Sequence, residues 1–180
     1  MNRITLKLTF LISAFLLLSG VSFAQSITVS VSGGSVHWNN SFGNALRPGN
    51  ATNAGSNTIT VTTSWNFLLF SNDLRLYAYF NSATAALAHS ASLCTTGCPD
   101  IPSSAIELKT NAGAFAAVTG TGPFGSAGAS LVLVNVPINF FNLTSSRSDV
   151  LTFNINLSSL PQLPADSYSG TLFIQAQATP

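Results

Sequence analysis

What most constrains this chain is a period of two. Gln25 to Ser32 reads Q-S-I-T-V-S-V-S, with Ile27, Val29 and Val31 on one face and Thr28, Ser30 and Ser32 on the other. Successive side chains of an extended chain point to opposite faces, so this alternation marks a half-buried strand. The pattern recurs. Thr58 to Trp65 places Ile59, Val61, Thr63 and Trp65 together, and Asn66 to Phe70 continues as an apolar run. Asp73 to Phe80 sets Leu74, Leu76, Ala78 and Phe80 against Arg75, Tyr77 and Tyr79, and Asp149 to Leu157 sets Leu151, Phe153, Ile155 and Leu157 against Val150, Thr152, Asn154 and Asn156. No sustained helical period competes with it.

Turn formers separate these runs. Gly33-Gly34 ends the first, Val36 and Trp38 suggest a short second strand, and a polar loop containing Arg47-Pro48-Gly49 extends from Asn39 to Asn57. Ala83 to Ala91 has enough helix propensity for a short helix or turn. Ile106 and Leu108 share a face in Ser104 to Thr110, and a Gly/Ala/Thr/Pro segment runs from Gly113 to Gly128. Ser130 to Val136 is a continuous apolar run of the buried-strand kind, and Tyr168 to Thr179 forms the last strand. About eight or nine strands at this spacing predict an all-β fold, an antiparallel immunoglobulin-like sandwich occupying residues 25–180 as one domain. An outer-membrane barrel fits less well. Strands of about seven residues fall short of the roughly 9 to 11 that a membrane strand needs, and the chain ends Ala178-Thr179-Pro180 without a terminal aromatic.

Residues 1–24 stand apart from the fold. Arg3 and Lys7 precede an apolar run from Leu8 to Leu18 that ends near Ser22-Phe23-Ala24, the pattern of an export signal cleaved after Ala24. An uncleaved anchor is the competing reading, but the run is well short of the roughly 20 residues that span a bilayer. Periplasmic, cell-surface or extracellular localisation follows, with no membrane-spanning segment left after cleavage. In an oxidising compartment Cys94 and Cys98, framing Thr95-Thr96-Gly97, are expected to close a local disulfide staple. A redox pair ordinarily has two intervening residues and a structural zinc site four ligands, which leaves those two roles as weaker alternatives.

Charge now narrows the function. Only 6% of the 180 residues are charged, against about 25% in an ordinary soluble domain. Beyond residue 24 there remain Arg47, Arg75, Lys109 and Arg147 against Asp73, Asp100, Glu107, Asp149 and Asp166. So few cations exclude nucleic acid as a partner, because binding it requires many phosphate contacts. Catalytic groups are equally sparse. His37 alternates with Val36 and Trp38 and reads as solvated, His89 lies in Ala-rich sequence beside the cysteine loop, and no G-x-S-x-G elbow is present. Glu107 is the single Glu, so no carboxylate pair for glycoside hydrolysis is indicated. Asn72-Asp73 and Ser148-Asp149 read as turn residues rather than calcium ligands. No enzyme, metal or cofactor is expected. The four N-x-S/T sequons at Asn39, Asn50, Asn142 and Asn156 follow from a composition rich in Asn, Ser and Thr. Among the aromatic residues, Trp65 shares a face with Ile59 and Val61 and reads as buried. Trp38, Tyr77 and Tyr79 remain candidates for stacking on sugar rings, with Tyr77 and Tyr79 the better exposed pair.

The segment from Leu160 to Ala178, L-P-Q-L-P-A-D-S-Y-S-G-T-L-F-I-Q-A-Q-A, resembles the last-strand signature P-A-G-x-Y-x-G-T of bacterial immunoglobulin-like surface domains, including spore coat protein U-like and pilin-like subunits. Pro164 sets a turn, Tyr168 has a ring to cover the core edge and a hydroxyl for backbone, and Gly170 permits close approach. Asp166 stands where Gly is usual, and the long-range cysteine pair common in those groups is missing. The resemblance implies a non-enzymatic structural or adhesive protein of the envelope or extracellular matrix, with self-association or envelope and matrix proteins as partners. Two other roles compete: a carbohydrate-binding module using Tyr77 and Tyr79, and an assembly subunit donating residues 25–32 as a strand to a neighbour.

Overall fold

Each alternating run becomes a strand, and every pairing is antiparallel. The computed structural model describes residues 26–33, 46–67, 73–90, 94–160, 163–164 and 166–179. The expected export segment, the strand suggested at Val36 and Trp38, and His37 lie outside the described residues. In chain order the strands are β1 (Ser26–Ser32), β2 (Ile59–Asn66), β3 (Asp73–Tyr79), β4 (Ala88–His89), β5 (Ile106–Thr110), β6 (Ala116–Ala117), β7 (Ser130–Pro137), β8 (Thr144–Ile155), β9 (Tyr168–Ser169) and β10 (Phe173–Thr179). One 3-10 turn, Ser103–Ala105, leads into β5. No helix among the described residues is long and apolar enough to cross a membrane.

The strands form a sheet of five, in the order β1-β2-β8-β5-β6, a sheet of three, β10-β3-β7, and a small pair, β4-β9. The two larger sheets pack their apolar faces together as a β-sandwich. The main core joins Val61 of β2, Leu76 and Ala78 of β3, Ile106 and Leu108 of β5, and Leu151, Phe153 and Ile155 of β8. A second cluster, Trp65, Phe67, Leu74 and Ile138, fills one end of the sandwich. Along β2, Thr63 lies between the contributions to these clusters, and it pairs in register with Arg147 of β8 while Val61 pairs with Asp149. A thin polar layer thus crosses the interior.

Several expectations change. Within the stretch expected to be helical, the described residues 83–90 form no helix: Leu87 bridges Ile101, and Ala88-His89 pairs with Ser169-Tyr168. Alanine propensity is a weak prior and backbone pairing overrides it. The last strand is broken at Gly170, where a Cβ would collide with the carbonyl oxygen of Ala86. Tyr168 and Ser169 therefore belong to the small sheet and Phe173–Thr179 to the three-stranded one. β7 is not buried on both faces. It is an edge strand, and Val132 is 47% exposed beside the outer aromatic cluster. Residues 26–32 pair at home with β2 through seven consecutive positions, from Ser26 opposite Asn66 to Ser32 opposite Thr60.

Candidate functional site

Three places gather side chains capable of chemistry. The outer face of the three-stranded sheet is the first, because strand alternation sends Tyr77 and Tyr79 there while Leu76 and Ala78 face the core. Register sets Tyr79 directly opposite Phe173 of β10, and cross-strand neighbours this close stack. Their ring centroids lie 5.4 Å apart with planes 19° from parallel. Phe124, carried by the loop that precedes β7, stacks on Tyr79 at 5.8 Å and meets Tyr77 edge-on at 5.5 Å. Gly125 allows this approach: its φ is +77°, and a Cβ there would fall 2.7 Å from Tyr79 Cδ2. The Tyr79 hydroxyl donates to Gln175 Oε1 at 3.2 Å.

This geometry corrects the expectation of an exposed tyrosine pair. Tyr77 is only 4% exposed, since the loop from Thr119 to Gly128 folds over it. Tyr79 is half-buried, with one near-parallel ring from β10 and another from the loop. Neither presents an open face on which a sugar ring can stack. A cleft of about 590 Å³ does open beside them, lined by Arg75, Tyr77, Thr119, Thr121, Pro123 and Val132. The Arg75 guanidinium in it is bonded to Asp73 at 3.0 Å, and hydrogen bonding to Asp73 and then Tyr77 raises its pKa above the ordinary value.

The second place surrounds the small sheet. His89 Nδ1 lies 2.7 Å from Asp100 Oδ1, and the same oxygen accepts the His89 backbone N–H at 3.0 Å. These bonds, the backbone one foremost, hold the Asp100 carboxyl below its usual pKa. A carboxylate-oriented imidazole is two-thirds of a catalytic triad. The adjacent hydroxyl, Ser90 Oγ, donates instead to Asp166 Oδ1, so it is not presented to the imidazole as a nucleophile. Tyr168 donates to the Pro164 carbonyl at 3.2 Å, and burial, reinforced by Asp166 and Asp100, raises its pKa. Cys94 and Cys98 form a disulfide with Cα atoms 6.1 Å apart, closing the loop that leads to Asp100. Among the described residues no group of three His, Cys, Asp or Glu side chains converges as a metal site.

The third place lies on β8. Asp149 is fully buried in mid-strand rather than in a turn, and Asp73, partly exposed, is the first residue of β3 rather than a turn residue. Arg147 Nε and Nη2 reach its two carboxylate oxygens at 2.7 and 2.6 Å, and Asn111 Nδ2 adds a third donor at 2.9 Å. Bonding to Asp149 keeps the guanidinium charged, raising the Arg147 pKa against the opposing effect of burial. Farther along, Asn154 is buried on the face expected to be solvated. Its Oδ1 accepts the Asn53 N–H, and its Nδ2 donates to Glu107 Oε2. Asn53 Nδ2 donates in turn to the Ile155 carbonyl. Both networks are internal anchors, the second pinning residues 46–57 to β8. The sequence carried a faint signal of it: two Asn at alternate positions of one strand, with the single Glu on the partner strand.

Compared with protein-family models, with curated proteins and with solved structures, the chain matches none.

Proposed function

We propose that this chain is a non-enzymatic, exported structural or adhesive component of the cell surface or extracellular matrix, acting through association along the edges of its sandwich. The observation that carries the reading is the character of those edges. Among the described strands, β1 closes one side of the five-stranded sheet, and β10 and β7 flank the three-stranded sheet. Their sequences, S-I-T-V-S-V-S, F-I-Q-A-Q-A-T and S-L-V-L-V-N-V-P, contain no charge. Unpaired strand edges invite a further strand, and monomeric proteins usually discourage this with Lys, Glu or bulges. The β7 edge is partly engaged, because Gly120 bridges Ser130 and Thr110 Oγ1 donates to the Leu133 carbonyl. β1 and β10 lie on a common side of the sandwich, close to each other but without pairing, and Val31 is half-exposed.

This supports self-association, or pairing with a strand of another surface protein, more strongly than it supports sugar binding. The home pairing of β1 also argues against residues 25–32 as a strand donated to a neighbour; they are better read as part of a receiving edge. The Ser90–Asp166 bond beside His89 weighs against hydrolysis. The test is sedimentation equilibrium and light scattering across a concentration series, comparing the wild type with Val31→Lys and with Gln175→Lys/Gln177→Lys. The expected result is reversible association that the edge lysines weaken at least tenfold with an unchanged circular dichroism spectrum. A wild type that stays monomeric at millimolar concentration overturns the proposal.

A further inference from the structure

The connection between β7 and β8 carries two phenylalanines into solvent: Phe140 is 71% exposed and Phe141 is 94% exposed. Loose chain does not account for this exposure. The Asn142 N–H donates to the Asn139 carbonyl at 3.1 Å, closing a turn with both rings at its apex. Asn139 Oδ1 accepts the Phe141 N–H, and Asn142 Oδ1 accepts the Asn139 N–H. Asn142 Nδ2 donates to the Pro137 carbonyl. From below, Trp65 Nε1 donates to the Asn142 carbonyl at 2.8 Å, and the Phe67 N–H donates to the Leu143 carbonyl. Ile138 is buried with Trp65, Phe67 and Leu74. The polar side chains of the turn are tied inward and the apolar ones are held out, the reverse of the usual surface preference.

The surrounding chain extends this character. Ser26 of β1 lies opposite Asn66, which lies opposite Thr144, so β1 begins at the same end of the sandwich as the Phe turn. Phe67 and Asp73 lie at this end too. The nearest acid, Asp73, is bonded to Arg75.

We propose that this end of the sandwich docks on a lipid surface, with Phe140 and Phe141 inserting into the interface between headgroups and acyl chains. Two rings on a convex turn offer a protein partner little flat area, whereas a bilayer interface accepts protruding aromatic groups without a complementary pocket. The absence of net charge at the tip fits a neutral surface as well as an anionic one. This reading is independent of edge association, since Phe140 and Phe141 lie in the connection between β7 and β8 and not on the β1 or β10 edge.

The test uses vesicles of phosphatidylcholine alone and with phosphatidylglycerol, and both the full chain and the processed chain recovered after export. Flotation of the processed wild type with both vesicles is expected, and Phe140→Ser/Phe141→Ser is expected to weaken partitioning at least tenfold. In the full chain, whose residues 1–24 carry an apolar run of their own, Phe141→Trp read against the wild type in brominated phosphatidylcholine isolates the tip: the introduced indole is expected to be quenched at least twofold. Unchanged melting temperature and tryptophan emission show that the serine variant remains folded. Equal partitioning of variant and wild type, or no quenching of the introduced indole, overturns the proposal. So does a concentration-dependent dimer abolished by the serine variant without vesicle binding, which would make a second copy the occupant.

Discussion

Replacing Arg147 by Met tests the polar layer that crosses the core. Asp149 is completely buried, and Arg147 supplies two of its three side-chain donors. Removing one partner from a buried ion pair typically costs about 3 to 5 kcal/mol, because the other charge is left desolvated and unpaired. The Arg147 side chain is 36% exposed, so solvent screens part of that interaction, and Asn111 still donates to the carboxylate. A loss of about 2 to 3 kcal/mol is therefore expected. In a domain of this size that lowers the melting temperature by roughly 4 to 12 °C. Urea unfolding followed by tryptophan emission and calorimetry provide the measurements. Arg147→Lys keeps the charge but loses the two-pronged geometry, and should fall between wild type and Met. The double variant Arg147→Met/Asp149→Leu removes both charges and should be more stable than Arg147→Met alone. A single-variant cost below about 0.5 kcal/mol, or a double variant less stable than the single, would refute the claim that the pair is coupled and desolvated.

Two further predictions follow from groups beside this layer and beside the small sheet. Thr63 is buried and its hydroxyl has no hydrogen-bond partner among the described residues, so Thr63→Val, which keeps the shape, should stabilise the protein by about 1 kcal/mol in chemical denaturation; destabilisation would show that the hydroxyl is satisfied in solution. Because Asp100 has its pKa depressed by the His89 bonds, its contribution is present above the unfolded carboxyl value near 3.9 and is lost as pH falls through the folded value. The melting temperature should therefore fall on acidification below about pH 4, and Asp100→Asn should flatten that dependence; an identical pH profile in the variant would remove Asp100 from the account.

The legible parts of the fold were those set by neighbours in sequence. Alternation located β1, β2, β3 and β8, since inward and outward faces are fixed two residues apart. Cys94 and Cys98 had to meet each other or nothing, and Tyr168 found the Pro164 carbonyl four residues away. Where an assignment depended on what covers a face, alternation was silent. Tyr77 and Asn154 both occupy the polar side of their strands, yet both are buried, one under residues 119–128 and the other under residues 46–57. The pair Ser148-Asp149 reads in sequence as a turn rather than a calcium site, and the arginine two residues before Asp149 gives no sign of the inward bidentate geometry.

The sequence by itself therefore determined the architecture: a sparsely charged, alternating chain builds antiparallel strands with two distinct faces, and its β1, β7 and β10 edges carry no charge. Tertiary structure alone decided the fate of the aromatic residues. Register and a glycine-permitted loop closed Tyr79 between Phe173 and Phe124, while a turn bonded inward through its asparagines left Phe140 and Phe141 exposed. The physical reason is range. The period of a strand reports which side chains share a face, but burial of that face is a contact between segments tens of residues apart.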